Sequence, residues 1–235
     1  MDSLYIVMPA YNEEQNIRET VLSWYPLLEG KADNSRLVIA DSGSLDKTHQ
    51  ILEELKTEYP KLEIVVDCDK QHGPKLIALY KEAISNGIDY IFQTDSDGQT
   101  DPSEFDEFWE SRKEYDAIFG NRTVRGDGKA RAFVERVVCF LLRIFFGVKV
   151  PDANAPFRLM KSAVISKYID RMPVDYFLPN IMIVVFCSFY NENILFKEIS
   201  FKPRAAGKNS INIPRIMKIG INALKDFSNF KKNMR

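Results

Sequence analysis

With 235 residues and 45% hydrophobic content, the chain can bury a large core and fits one large domain better than two small ones. Its 32 basic and 33 acidic residues leave a net charge of -1, which excludes the global field that nucleic-acid binders use, so any basic surface must be local. Cys68, Cys139 and Cys187 are widely separated and lack metal-ligand spacing; they read as ordinary thiols of a reducing compartment, with no structural zinc.

Met1-Asp2-Ser3 runs straight into apolar residues, without the basic leader and long apolar core of a signal peptide, so a cytoplasmic location is expected. Residues 4–8 read as a strand ending at Pro9, and residues 13–28 as a helix capped by Asn12 with acidic residues in its first turn. A second strand (36–40) leads into the turn Asp41-Ser42-Gly43-Ser44, and a helix (46–56) starts at Asp46. A third strand (62–66), a helix (75–86) and a fourth strand (90–94) continue the rhythm. Beyond a strand at 116–119 regularity falls away: 130–146 and 174–190 read as apolar helices, 194–201 as a strand and 214–232 as a closing helix. Strands spaced by helices predict an α/β fold, a mostly parallel doubly wound sheet with flanking helices and right-handed crossovers. The expected organisation is a domain over residues 1–212 followed by a basic amphipathic helix over 213–235. The apolar stretches 137–148 and 176–190 are interrupted and fall short of the ~20 residues that span a bilayer, so no transmembrane helix is expected.

The residues with the clearest chemistry are Asp95-Ser96-Asp97, where the fourth strand meets a polar turn. Residues i and i+2 of an extended segment point the same way, so both carboxylates can face one hard cation that keeps positions for phosphate oxygens. Taken alone, the triplet reads more readily as a solvated turn. In a doubly wound sheet, however, the loops after Met8, Ala40 and Thr94 open on the edge where such folds bind nucleotides.

Those loops together, Pro9-Ala10-Tyr11-Asn12-Glu13, Asp41 to Asp46 and Asp95-Ser96-Asp97, resemble a family 2 glycosyltransferase of the GT-A fold. Gly120-Asn121-Arg122, the segment from Asp152 to Phe157-Arg158, and Arg204 to Ser210 resemble its polyprenyl-phosphate sugar transferase branch, typified by dolichyl-phosphate mannose synthase. The resemblance implies a UDP- or GDP-linked sugar donor and a Mg²⁺ or Mn²⁺ ion that stabilises charge on the departing diphosphate. By the same resemblance, Asp97 is the direct metal ligand. Asp95 reaches the ion through water or holds the ribose, and Gln99 supports the diphosphate. Pro9, Tyr11, Glu13 and Asp41 line the nucleoside pocket. Arg122 and Arg131 contact phosphate, as their planar forks suit. Arg204 and Ser210 belong to a loop that closes on the diphosphate. Ser42 stands where many relatives carry a second Asp, and one extra residue separates Gly207 from Ser210. Lys75 reads as a solvated first-turn lysine or as a nucleotide contact.

A hydroxyl acceptor needs a carboxylate base, whereas a lipid phosphate is already ionised and needs only positioning. The family's usual acidic dipeptide is not evident; Asp152 is the carboxylate nearest the expected acceptor, Arg158 would hold the acceptor phosphate or orient Asp152, and Asp175 is a substitute base or a helix cap. This favours a polyprenyl-phosphate-type acceptor, with peripheral membrane contact through the helix at 130–146 and the basic C-terminus, or through an integral membrane partner. The alternatives are transfer to a hydroxyl of a polysaccharide or lipid-linked oligosaccharide, a haloacid-dehalogenase-type phosphatase suggested by Asp95-Ser96-Asp97-Gly98, and a non-catalytic binding module.

Overall fold

The computed structural model describes residues 1–126, 128–204 and 213–234. Seven strands form one sheet: β1 (Leu4–Ala10), β2 (Arg36–Asp41), β3 (Leu62–Val65), β4 (Tyr90–Thr94), β5 (Ala117–Arg125), β6 (Phe157–Lys161) and β7 (Ile194–Phe201), in the spatial order β3-β2-β1-β4-β6-β5-β7. The main helices are α1 (Ile17–Trp24), α2 (Thr48–Glu58), α3 (His72–Ser85), α4 (Phe105–Glu110), α5 (Lys129–Phe146), α6 (Ser162–Ser166), α7 (Pro179–Phe189) and α8 (Ile213–Asn233). All strand pairings are parallel except those of β6, which runs antiparallel to both β4 and β5.

β1 is buried along its whole length because both sheet faces are covered. Leu4, Ile6 and Met8 pack into one core with Trp24, Leu52 and Phe105, while Tyr5 and Val7 pack into the other with Leu76, Tyr80 and Ile183. This period of two explains the apolar run in the sequence. The strand order reverses direction between β1 and β4, and in such sheets ligands bind beyond the carboxyl ends at that switch point. The residues after β1 and after β4 therefore share one crevice.

Several expected boundaries move, each for a local reason. α1 begins at Ile17 rather than 13: Asn12 has φ of 56°, and its side chain accepts from the backbone N–H of Leu45 (2.8 Å) instead of capping a helix. α2 begins at Thr48, whose N–H donates to Asp46 (3.0 Å). α3 begins at His72, so Gly73-Pro74 lies inside the first turn, where a missing N–H costs nothing. α7 begins at Pro179, which leaves Asp175 in an exposed turn, neither cap nor helical residue. β5 extends to Arg125, with a register shift between Arg122 and Val124 against β7. β6 is a strand missed in the sequence. Among the described residues, no helix is long and apolar enough to cross a membrane.

Candidate active site

A continuous cleft of about 660 Å³ opens above the switch point. One end is lined by Pro9, Tyr11 and Glu13 after β1, by Asp95, Asp97 and Gln99 after β4, by His72 and Lys75 of α3, and by Arg204 after β7. The other end is apolar, formed by Val134, Val138 and Leu141 of α5 with Leu178 and Ile181 around the start of α7 and Phe227 of α8. Arg122, Arg131 and Glu135 also line the cleft.

At the polar end, Asp97 is largely enclosed, and burial together with the charge of Asp95 pushes its carboxyl up to about 7. Asp95 contacts His72 Nε2 at 3.2 Å and accepts a 3.4 Å bond from Gln93. Arg204 pairs with Glu13 and reaches to 3.9 Å from Asp97 Oδ2, so its guanidinium spans the two sides of the crevice. Burial raises the pKa of Glu13, against the opposing bond from Asn16 and the charge of Arg204. Two carboxylates under mutual repulsion, both hard oxygen donors, fit a Mg²⁺- or Mn²⁺-sized cation. Ser96 points the other way: its hydroxyl donates to Pro9 O (2.9 Å) and locks the two strand ends together.

Lys75 is 1% exposed rather than solvated. Its ammonium donates to Ala10 O (2.5 Å) and lies 5.4 Å from the Tyr11 ring centre, and burial lowers its pKa against the charge of Asp41. Tyr11 itself is 40% exposed at the cleft wall. The close approach of α3 requires Gly73: a Cβ there would lie 2.4 Å from Tyr176 O and 2.6 Å from Phe177 O.

Arg122 lines the cleft wall, and Asp152 holds it from just behind. Asp152 accepts from Arg122 Nε (2.7 Å) and Nη2 (2.9 Å) and from the Asn154 N–H (3.1 Å). Burial alone would raise its pKa, but the Arg122 hydrogen bonds and charge outweigh it and hold the carboxyl below its ordinary value. That makes Asp152 a poor proton acceptor and a good anchor for Arg122. Glu135 is the residue that sequence reasoning passed over. It lies 3.4 Å from Arg122 Nη2 and accepts from the Ala153 N–H (2.8 Å), so α5 and the loop after it meet at this carboxylate. Its position four residues after Arg131 was the available signal, since i and i+4 share a helix face.

Of the residues singled out from sequence, Pro9, Tyr11, Glu13, Asp95, Asp97, Gln99, Arg122, Arg131 and Arg204 come together in the cleft. Gln99 does so while donating its amide to Lys202 O (2.8 Å), which ties the β4 loop to the segment after β7. Four residues sit elsewhere. Asp41 is buried, accepting from Ser44 (2.5 Å) and facing His49 (3.3 Å). Asp152 lies just behind the lining. Arg158 is fully buried and donates to the carbonyls of Ala155 (2.7 Å), Asn180 (2.6 Å) and Ala153 (2.8 Å), so it shapes the loop that carries Asp152 and does not face a ligand. Asp175 is exposed and outside the lining. Ser210 lies outside the described residues.

Comparison with known proteins identifies the family and the fold. The family described as Glycosyl transferase family 2 matches residues 5–171. The uncharacterized glycosyltransferase YkcC of Bacillus subtilis is 30% identical over 169 residues, covering 68% of this chain and 49% of its own length. A second B. subtilis protein, the uncharacterized glycosyltransferase YkoT, is 27% identical, covering 96% of this chain and 67% of its own length. The undecaprenyl-phosphate 4-deoxy-4-formamido-L-arabinose transferase of Shewanella sediminis is 24% identical, covering 76% and 54%. The chain thus spans between about half and two thirds of the length of these relatives. Among solved structures, glucosyl-3-phosphoglycerate synthase from Mycobacterium tuberculosis, crystallised with Mn²⁺, UDP-glucose and phosphoglyceric acid, superposes with a TM-score of 0.70 at 17% identity, over 96% of this chain and 80% of that one. That likeness establishes the GT-A fold.

Proposed function

The chain belongs to glycosyl transferase family 2, and from that premise we propose that its cleft transfers a sugar, with inversion, from a nucleoside diphosphate to a lipid phosphate of the polyprenyl type. The observation that carries the reading is the continuity of one cleft from a carboxylate pair, past Arg122 and Arg131, to an apolar arm between α5, α7 and α8. The phosphatase and binding-module readings give way to the family assignment.

Asp95 and Asp97 would hold a divalent cation, which would supply charge stabilisation to the leaving diphosphate. Arg204, placed between Glu13 and Asp97, adds positive charge on the same side, and Tyr11 offers a ring face for the nucleobase. Arg122 is held in place at the cleft wall by Asp152 and Glu135, so its positive charge is positioned without reorganisation. In the apolar arm, Val134, Val138, Leu141 and Phe227 offer no partner for a glycan hydroxyl and suit an isoprenoid chain. Asp152, whose proton affinity is lowered and whose oxygens are occupied, is not poised as a base, and a phosphate acceptor needs none. The names of the S. sediminis and Pectobacterium carotovorum relatives, both undecaprenyl-phosphate sugar transferases, support the same acceptor class.

Transfer to a hydroxyl is the second reading, favoured by one observation: Glu135 is a carboxylate in the cleft wall near the acceptor end. A thermal-shift screen of UDP-, GDP- and dTDP-sugars with Mn²⁺ or Mg²⁺ identifies the donor, since a ligand at ~100 times its dissociation constant adds ~2.7 kcal/mol. With that donor, the reading requires sugar transfer to a short polyprenyl phosphate. Transfer that instead requires a free hydroxyl, and that Glu135→Gln abolishes while leaving donor binding intact, would overturn it.

A further inference from the structure

The outer face of α5 carries a patterned, solvent-exposed stripe. Its exposed residues among those described are Phe133, Arg136, Val137, Phe140, Arg143 and Ile144: four large apolar side chains and two arginines, with no acid. Phe133 is 65% exposed, Phe140 62% and Ile144 57%, values that no core position would show. Spaced at i, i+4, i+7 and i+11, the four apolar residues fall within an arc of about 60° at ~100° per residue, and both arginines lie along one edge of that stripe. From sequence, Phe140, Leu141, Leu142, Ile144, Phe145 and Phe146 read as one apolar set. The structure divides them: Leu142 and Phe146 enter the core, Leu141 lines the cleft, and Phe140 and Ile144 join Phe133 and Val137 outside.

We propose that this face of α5 docks the protein on an anionic lipid leaflet, the apolar stripe entering the headgroup region while Arg136 and Arg143 lie against lipid phosphates. The charge pattern selects this occupant. The acid of the helix, Glu135, is turned into the cleft, and nearby Lys149 is exposed. On α8, which packs on α5 through Phe227 against Phe145 and Phe146, Lys225 and Lys232 are also exposed. A stripe of aromatic and aliphatic residues edged by arginine is the pattern of a helix that lies in a membrane interface. The placement also gives α5 two faces with related uses, because the adjoining face about 100° round the helix, Val134, Val138 and Leu141, lines the apolar arm. Resting on the lipid-phosphate reading, this means that an acceptor would pass from the leaflet around α5 into the cleft with its chain in apolar surroundings throughout.

The test is co-sedimentation of the full chain with vesicles of phosphatidylcholine alone or mixed with phosphatidylglycerol, free of polyprenyl phosphate so that the outcome does not depend on the acceptor. The wild type should sediment with the mixed vesicles and release in high salt. Phe133→Ser combined with Phe140→Ser should weaken partitioning roughly tenfold or more, and Arg136→Gln and Arg143→Gln about fivefold each. None of these changes should alter metal-dependent binding of the nucleotide sugar, which also reports that the variants are folded. Undiminished sedimentation of the variants would overturn the proposal. So would light scattering that shows a dimer which the double Phe variant converts to monomer, because the stripe would then be a subunit interface. Loss of vesicle binding with normal transfer to a detergent-dispersed acceptor would uphold the docking face and the acceptor reading separately.

Discussion

The two ends of the cleft are built on different plans. The polar end is made of strand termini: Glu13, Asp95, Asp97 and Arg204 follow β1, β4 and β7 by one to three residues, and hydrogen bonds such as Ser96 to Pro9 fix their relative positions. The apolar end is made of helix faces from α5, α7 and α8, packed through side chains such as Phe145 and Phe227. A site on strand ends holds charge in a fixed place, which transition-state stabilisation needs. A site between helix faces supplies area and little direction, which suits an apolar chain.

If that division of labour is right, the largest loss comes from Asp97→Ala. Transfer should fall roughly 10²- to 10³-fold, and the stabilisation that Mn²⁺ plus nucleotide sugar confers should vanish while the apo protein stays folded. Metal-independent nucleotide binding that survives the substitution would break the comparison at its polar end.

Arg122→Met attacks the wall between the ends. It strands Asp152 and Glu135 in a region where the Asp152 side chain is 3% exposed, and loss of about 3–5 kcal/mol is expected by denaturant titration. Asp152→Asn tests the same pair through pH. Because the folded carboxyl is held below its ordinary value of 3.8, its contribution is fully present above that value and lost as pH falls through the lower, folded one. The stability gap between wild type and D152N should stay constant from neutral pH to about 4 and close only in stronger acid. A gap that closes already near neutrality would mean that Asp152 is not held by Arg122.

Gly73→Ala should cost about 1–3 kcal/mol, because the new methyl meets the carbonyls of Tyr176 and Phe177 and pushes back the segment that leads into the apolar arm. The smallest effect belongs to Leu141→Asn, which should raise KM for a long-chain acceptor roughly tenfold while leaving donor affinity unchanged. An equal loss of donor affinity would show that the two ends are not separable.

The same contrast explains what could be read from the residues in order. The polar end was legible because its parts are local: a strand run, then a short loop with carboxylates at i and i+2. Asp95, Asp97, Glu13 and Tyr11 reach the cleft as those loops imply. The rest depended on contacts that no local pattern encodes. Lys75 is a residue type almost never fully buried, yet the β1 carbonyl and the ring of Tyr11 enclose it. Arg158 is expected from sequence to hold an acceptor phosphate or orient Asp152, but β6, the antiparallel strand that buries it, carries polar residues and has no strand pattern to reveal that burial. Asp175 matches the start of a helix over 174–190, but α7 begins at Pro179, five residues onward. On α5 the apolar residues run nearly all round, so only packing against α7 and α8 sorts core, cleft and outer stripe.

The most direct test of the central claim pairs two acceptors of equal chain length, a short polyprenyl phosphate and the corresponding polyprenol, with the donor found by thermal shift. One cleft joining a metal-assisted leaving group to a lipid phosphate predicts sugar transfer to the phosphate alone, with the sugar joined through a phosphodiester. Transfer to polyprenol at a comparable rate, or to neither lipid but to a soluble glycan hydroxyl, would contradict it.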